Sequence, residues 1–308
     1  MHGSEKCWRK FINAAEFYKA DILILGGDMT GKAIIPIIQE PDGTYRASFL
    51  DRKIIVRNQQ ELSELEKTVI NRGYYPRVIS LEDLDRLQLD QQKLAEWTDG
   101  TFLELMLSTI RSWIDIADRK LQGTKIQCFV CPGNDDRFEI DDPIKKSKHV
   151  QHAEGKILLL NEEHEMISTG WSNPTPWKTY REFDEEMLYN HIEEMAKGVN
   201  NPAKCCFNLH VPPYGSGLDE APEFDKQLKP KYGAKTTVPV GSKAVRKAIE
   251  KFQPMFSLHG HIHESRGVTK IGRTLCVNPG SSYEQGTLLG AIIDLDKKGI
   301  ARYFMTSG

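Results

Sequence analysis

No apolar run in these 308 residues approaches the ~20 positions a membrane-spanning helix needs. The opening stretch MHGSEKCWRK also lacks the apolar core of a secretory signal, so the expected compartment is the cytoplasm. Charge of one sign is equally scarce. Lys and Arg number 41 against 43 Asp and Glu, a net charge of −2, which argues against bulk attraction to nucleic acid or to an anionic membrane. Cysteine is sparse, at six positions: Cys7, Cys128, Cys131, Cys205, Cys206 and Cys276. Cys128 and Cys131 form a lone CxxC with no second pair at zinc-site spacing, so reduced, buried thiols are expected. Internal repeats and low-complexity tracts are absent. What remains is an ordinary globular composition, 39% hydrophobic and 27% charged, in a chain long enough to bury a substantial core.

Periodicity places a helix over residues 4–18, with Ser4 as N-cap and Trp8, Phe11, Ile12 and Ala15 on one face. The continuous apolar run in ADILILGGD predicts a strand buried on both sides. Residues 33–57 read as two or three short strands with turns at Asp42-Gly43 and Asp51-Arg52. Residues 58–121 read as largely helical, ending in an amphipathic run through Phe102, Met106 and Trp113 that predicts core packing. Further strands are expected in KIQCFV, in a hairpin from residue 156 to 172, in AKCCFNLH, in MFSLH and along the tail from Val268. Helices are expected over 184–197 and 242–252, and a long loop over 217–240. Strands alternating with helices indicate a layered α/β fold.

Nine histidines are present, and three fall within FSLHGHIHES as His259, His261 and His263. Alternating imidazoles suggest metal ligation, whereas exposed polar side chains on a strand edge would be the plainer explanation. Partners of the right type follow other apolar strands: Gly27-Asp28, Gly133-Asn134-Asp135-Asp136, and His210. Loops at the carboxyl ends of α/β strands can converge on one site, and the glycines allow close backbone approach.

In this order the chain resembles the calcineurin-like metallophosphoesterases, whose series is D-x-H, G-D, G-N-H-[D/E], a single H, and G-H-x-H. The matches are His2, Gly27-Asp28, Gly133-Asn134-Asp135-Asp136, His210 and Gly260-His261-Ile262-His263, with VNPGS at 277–281 as the closing turn. The resemblance implies a single domain over 1–308, a four-layer α-β-β-α sandwich, with 33–100 as a cap-like insertion. It implies two divalent metal ions (Mn, Fe or Zn) bridged by Asp28, with His2 and His263 on one and Asn134, His210 and His261 on the other. The implied reaction is hydrolysis of a phosphodiester or nucleotide-like phosphate by a metal-bridging hydroxide, with Asp135 and Asp136 as the catalytic residues. A small phosphate ester is the implied partner.

Two positions depart from the family. The aspartate of D-x-H would precede Met1, and the upstream reading frame is expected to encode an apolar strand ending in it. Asp135 stands where the family has the histidine credited with protonating the leaving oxygen. With a reference pKa of about 3.9, an aspartate is ionised at neutral pH, and nearby cations lower it further. Asp135 is therefore expected to hold substrate or position water. The competing function is a catalytically weak phosphate- or nucleotide-binding protein. DNA cleavage fits poorly with the charge balance. His259 is expected as a strand residue facing a polar pocket, and His149 and His152 in a solvated loop.

Overall fold

The computed structural model describes residues 1–225, 236–297 and 299–308. Helix α1 (Glu5–Tyr18) starts at Ser4, whose hydroxyl accepts from the Cys7 N–H, and strand β1 (Ile22–Leu25) follows. Next come β2 (Ile34–Gln39), β3 (Tyr45–Phe49), β4 (Arg52–Val56), α2 (Gln59–Asn71), β5 (Tyr75–Ser80), α3 (Leu81–Gln88) and α4 (Gln91–Leu121). The middle of the chain holds β6 (Gln127–Val130), α5 (Asp141–Lys145), β7 (Val150–His152), β8 (Lys156–Leu159), β9 (Glu165–Thr169), α6 (Glu185–Lys197) and β10 (Cys206–Leu209). The last part holds β11 (Glu220–Pro222), β12 (Thr237–Pro239), α7 (Lys243–Phe252), β13 (Phe256–Leu258), β14 (Gly267–Ile271), β15 (Thr274–Asn278), β16 (Leu289–Asp296) and β17 (Gly299–Ser307).

The result is a mixed α/β protein with several sheets. One sheet runs β1-β6-β7, all parallel. A second runs β14-β15-β13-β10-β9-β8, parallel at its centre and antiparallel at both edges. The apolar strands are continuous because both of their faces are covered. In β6, Cys128 and Val130 join Trp8, Phe11, Met106, Ile110 and Trp113 of α1 and α4 in one core. Phe129, between them, turns into a second core with Met166, Cys206, Phe256, Leu275 and Val277 of the larger sheet. Ile167, Phe207 and Cys276 point the other way, into a third core with Leu188 and Ile192 of α6 and Val245 and Ile249 of α7. Strand alternation thus sorts adjacent apolar residues into separate cores. Trp8 and Trp113 stack at 5.2 Å, both fully buried, and the Trp8 indole donates to the Trp113 carbonyl.

The four-stranded sheet β4-β3-β2-β5 has a core of its own, with Ile37, Phe49 and Val56 under Leu62, Leu65 and Val69 of α2. Residues 58–121 are largely helical, as expected, with strand β5 as the exception. Tyr75 and Ile79 are buried, and β5 pairs in parallel with β2 from Ile34↔Tyr75 to Gln39↔Ser80. Pro76 is tolerated because β5 is an edge strand. The chance to pair with β2 overrides a local pattern too short to mark a strand.

The loop expected over 217–240 contains β11 and β12, which pair antiparallel; its middle, 226–235, lies outside the described residues. All six cysteines are free and buried, as expected. Among the described residues no helix is long and apolar enough to cross a membrane.

Candidate metal centre

Asp28 follows β1 directly and sits at the centre of the histidines. Its Oδ2 lies 3.4 Å from His2 Nε2 and 3.2 Å from His210 Nε2. Two groups of potential ligand atoms share it: His2, Asp28 and His263, and Asp28, His210 and His261, with the atoms of each group within 4.8 Å of one another. Either group could hold a metal ion. Three of these residues have backbone in the left-handed region, where non-glycine residues are strained: His2 (φ 46°), Asp28 (φ 53°) and His261 (φ 62°). At His261 the strain belongs to a tight turn in which the Ile262 N–H donates to the Gly260 carbonyl at 2.6 Å.

Close approach depends on glycine at two points. A Cβ on Gly27 would overlap the His210 ring, and one on Gly133 would overlap the Asp28 carboxylate. The remaining supports are hydrogen bonds. The His2 N–H donates to the Asp28 carbonyl at 2.8 Å, which lays the N-terminal segment along the loop after β1. His210 Nδ1 is 2.8 Å from the Gly26 carbonyl and its Nε2 is 3.0 Å from Asn134 Oδ1. His261 Nδ1 is 2.8 Å from the same Asn134 oxygen. The Asn134 amide donates to Thr179 Oγ1 at 2.8 Å. His2 Nε2 and His263 Nε2 face each other at 2.9 Å, and Tyr283 packs on His2 with ring centroids 4.9 Å apart.

Burial holds three of the imidazoles neutral and so available as ligands. It lowers His261 to about 3 and His263 to about 4, and it takes His2 well below its ordinary value. Burial works against His210 too, but the adjoining Asp28 carboxylate and the Gly26 carbonyl outweigh it and raise this histidine. Desolvation likewise opposes the charge on Asp28. His210 and His2 overcome that and hold Asp28 well below the usual carboxylate range.

Of the residues singled out in the sequence, His2, Asp28, Asn134, His210, His261 and His263 come together. Asp135 lies at the rim, its backbone N–H donating to Asp28 Oδ1 at 3.2 Å and its Oδ2 2.6 Å from Lys32 Nζ. Asp136 does not face the cluster. It is fully buried, and its carboxylate accepts from the N–H groups of Met29, Thr30 and Gly133 and from the Thr30 hydroxyl. That clamps the Asp28 loop to the Asn134 loop. Burial and the nearby Asp28 raise its pKa. His259, just past β13, is buried, with Nδ1 2.8 Å from the Leu209 carbonyl and 3.1 Å from the Val211 carbonyl. His152 is corrected from a solvated loop to the end of β7. It is buried there, 3.4 Å from Asp141, because β7 pairs with β6.

Sequence reasoning missed Lys32, Arg181 and Asn278. Arg181, nearly fully buried, donates to the Asp136 and Arg137 carbonyls and to Asp141, bracing the Asn134 loop from behind. Asn278, in the closing turn, donates to the Ile262 and Leu218 carbonyls and steadies the His261 turn. Only VNPGS, as a motif, hinted at Asn278.

The chain is 36% identical over 210 residues to the uncharacterized protein MJ1162 of Methanocaldococcus jannaschii, a match covering 67% of this chain and 88% of that protein. The chain belongs to the MJ1162 family. Membership brings no activity with it, since the name of that relative states none. No family model matches the chain. TT1561 of Thermus thermophilus superposes with a TM-score of 0.44 at 13% identity, covering 66% of this chain and 79% of that one. Another crystal structure superposes at 0.42 and 15%, covering 81% and 91%. At such scores neither superposition informs the site, and its own geometry has to.

Proposed function

We propose that this protein is a metal-dependent phosphoesterase acting on a phosphodiester or nucleotide-like phosphate. The observation that carries the reading is the single Asp28 carboxylate placed between two histidine groups, His2 with His263 and His210 with His261. The donor set fits two divalent ions such as Mn, Fe or Zn: a carboxylate to bridge, neutral imidazoles on both sides, and the Asn134 amide oxygen beside His210 and His261. The buried His2 Nδ1 has no hydrogen-bond partner, and two imidazole nitrogens face each other at 2.9 Å, an arrangement an ion between them would relieve. Bound there, two ions would supply Lewis acidity and positive charge for a phosphoryl group.

The chain's own residues do the rest. Asp136 and Arg181 fix the Asn134 loop against the Asp28 loop, so the ligand atoms are held before any ion or substrate arrives. Asp135, at the rim, serves to position water. The three cores around the β1-β6-β7 sheet and the six-stranded sheet support a four-layer α-β-β-α sandwich spanning 1–308. The separate core under β2–β5 supports reading 33–100 as a cap-like insertion beside the site. The six free, buried cysteines fit a reducing, cytoplasmic setting.

The experiment is elemental analysis of the purified protein together with turnover of an aryl phosphodiester, for wild type and Asp28→Asn. Wild type should carry metal and turn over, and the variant should do neither. One observation favours a second reading, a phosphate- or nucleotide-binding protein of weak activity. The Asp135 carboxylate, where the family has a histidine, is already engaged by Lys32 and is not free to act on the ester. Bound metal without turnover would select it.

A further inference from the structure

A lysine, Lys32, stands against the rim of the cluster. Its Nζ lies 2.6 Å from Asp135 Oδ2, and that oxygen is 3.8 Å from His2 Nδ1. The lysine side chain is 35% exposed and Asp135 30%, so both reach solvent at the mouth of the site. The backbone beneath them is held firmly. Thr30 donates twice to Asp136, the Gly31 N–H donates to the buried Tyr75 hydroxyl at 2.8 Å, and the Lys32 N–H donates to the Gly73 carbonyl at 3.0 Å. Tyr75 and Gly73 belong to the segment carrying β5, so the four-stranded insertion fixes where Lys32 stands.

We propose that Lys32 is the anchor for a phosphoryl oxygen of the substrate, held on Asp135 until a phosphate displaces that carboxylate, and positioned by the β2–β5 insertion. The proposal rests on the phosphoesterase reading. It adds a residue outside the motif series and gives the insertion a task at the site. The chemistry suits the residue. An ammonium on a flexible stem can leave one oxygen anion for another a few ångströms away, and a phosphate offers more oxygens and more charge than a carboxylate. In the free protein Asp135 keeps that ammonium paired and aimed at the mouth.

The test is calorimetric titration of inorganic phosphate into Mn-treated protein, with the metal content of every sample measured by elemental analysis. Lys32→Ala should weaken phosphate binding roughly 10- to 100-fold, the span for losing a charge-assisted hydrogen bond, with metal content unchanged. Lys32→Arg should recover part of the loss. Asp135→Asn, which removes the competing carboxylate, should tighten phosphate binding several-fold. Opposite shifts from the two partners of one ion pair are the signature, because a merely structural pair would weaken binding from either side. Unchanged affinity in Lys32→Ala, shifts of equal sign in Lys32→Ala and Asp135→Asn, or a wild type that binds no phosphate would each overturn the proposal. A wild type that takes up no metal counts against the phosphoesterase reading instead. The same order of phosphate affinities is then expected on the metal-free protein, and its absence there overturns the role of Lys32.

Discussion

The two histidine groups that share Asp28 are built differently. Around His210 and His261, two of the ligands are held from outside the group, His210 by the Gly26 carbonyl and Asn134 by Thr179, and both rings close on the Asn134 oxygen. Around His2 and His263, the two rings face each other, His2 Nδ1 has no hydrogen-bond partner, and packing on Tyr283 provides the support. Partners behind a ligand fix its orientation and commonly change metal affinity 10- to 100-fold. The difference teaches that the first group is ready-made, whereas the second needs an ion to settle its facing nitrogens.

The largest effect should come from the residue common to both. Asp28→Ala removes the carboxylate from both groups, so elemental analysis should find neither ion, and phosphoesterase turnover should vanish. Retention of two ions would sink the shared-ligand geometry.

Next, titrating Mn into metal-free protein should resolve two steps, the tighter belonging to the His210–His261 group. His210→Ala should abolish the tighter step, and His2→Ala the weaker one. A single step, or loss of the tighter step in His2→Ala, breaks the comparison. A finer probe is Thr179→Val, which leaves the Asn134 amide without its acceptor. The tighter step should weaken roughly tenfold or more while the other is unmoved.

The smallest effect on metal should come from His259→Ala, two positions from His261 yet outside both groups. Its consequence is for stability instead. Burial lowers His259 to about 4, below its ordinary value of 6.5. Between these values the unfolded chain binds more protons, so the contribution to stability is full above about pH 6.5 and is lost as pH falls toward 4. The size is on the order of 3 kcal/mol. Denaturant melts of metal-free protein at pH 7 and pH 4 should show a smaller acid loss in the variant than in wild type. Equal losses would mean that His259 does not titrate with folding.

Much of the site was legible because its signals are local. Asp28, Asn134, His210, His261 and His263 each sit in a short motif directly after an apolar strand, and in an α/β sheet the carboxyl ends of strands gather such loops. Lys32 gave no such signal. A lone lysine after a glycine reads as a solvated charge, and only the bond to Asp135 across the fold distinguishes it. Asp136 misled for the same reason, since two adjacent acids look alike in sequence and one of them is turned inward to backbone donors.

The sequence by itself determined the helices with a clear apolar stripe, the strands buried on both faces, and the residue types able to hold a metal, because periodicity and ligand chemistry are properties of the chain. Tertiary structure alone decided that residues 75–80 form a strand rather than a helix, since β2 supplies the hydrogen bonds that their own sequence does not specify. It also decided that His152 is buried and that Lys32 stands over Asp135. Contacts between residues a hundred positions apart depend on how loops and layers meet, and no local pattern encodes that meeting.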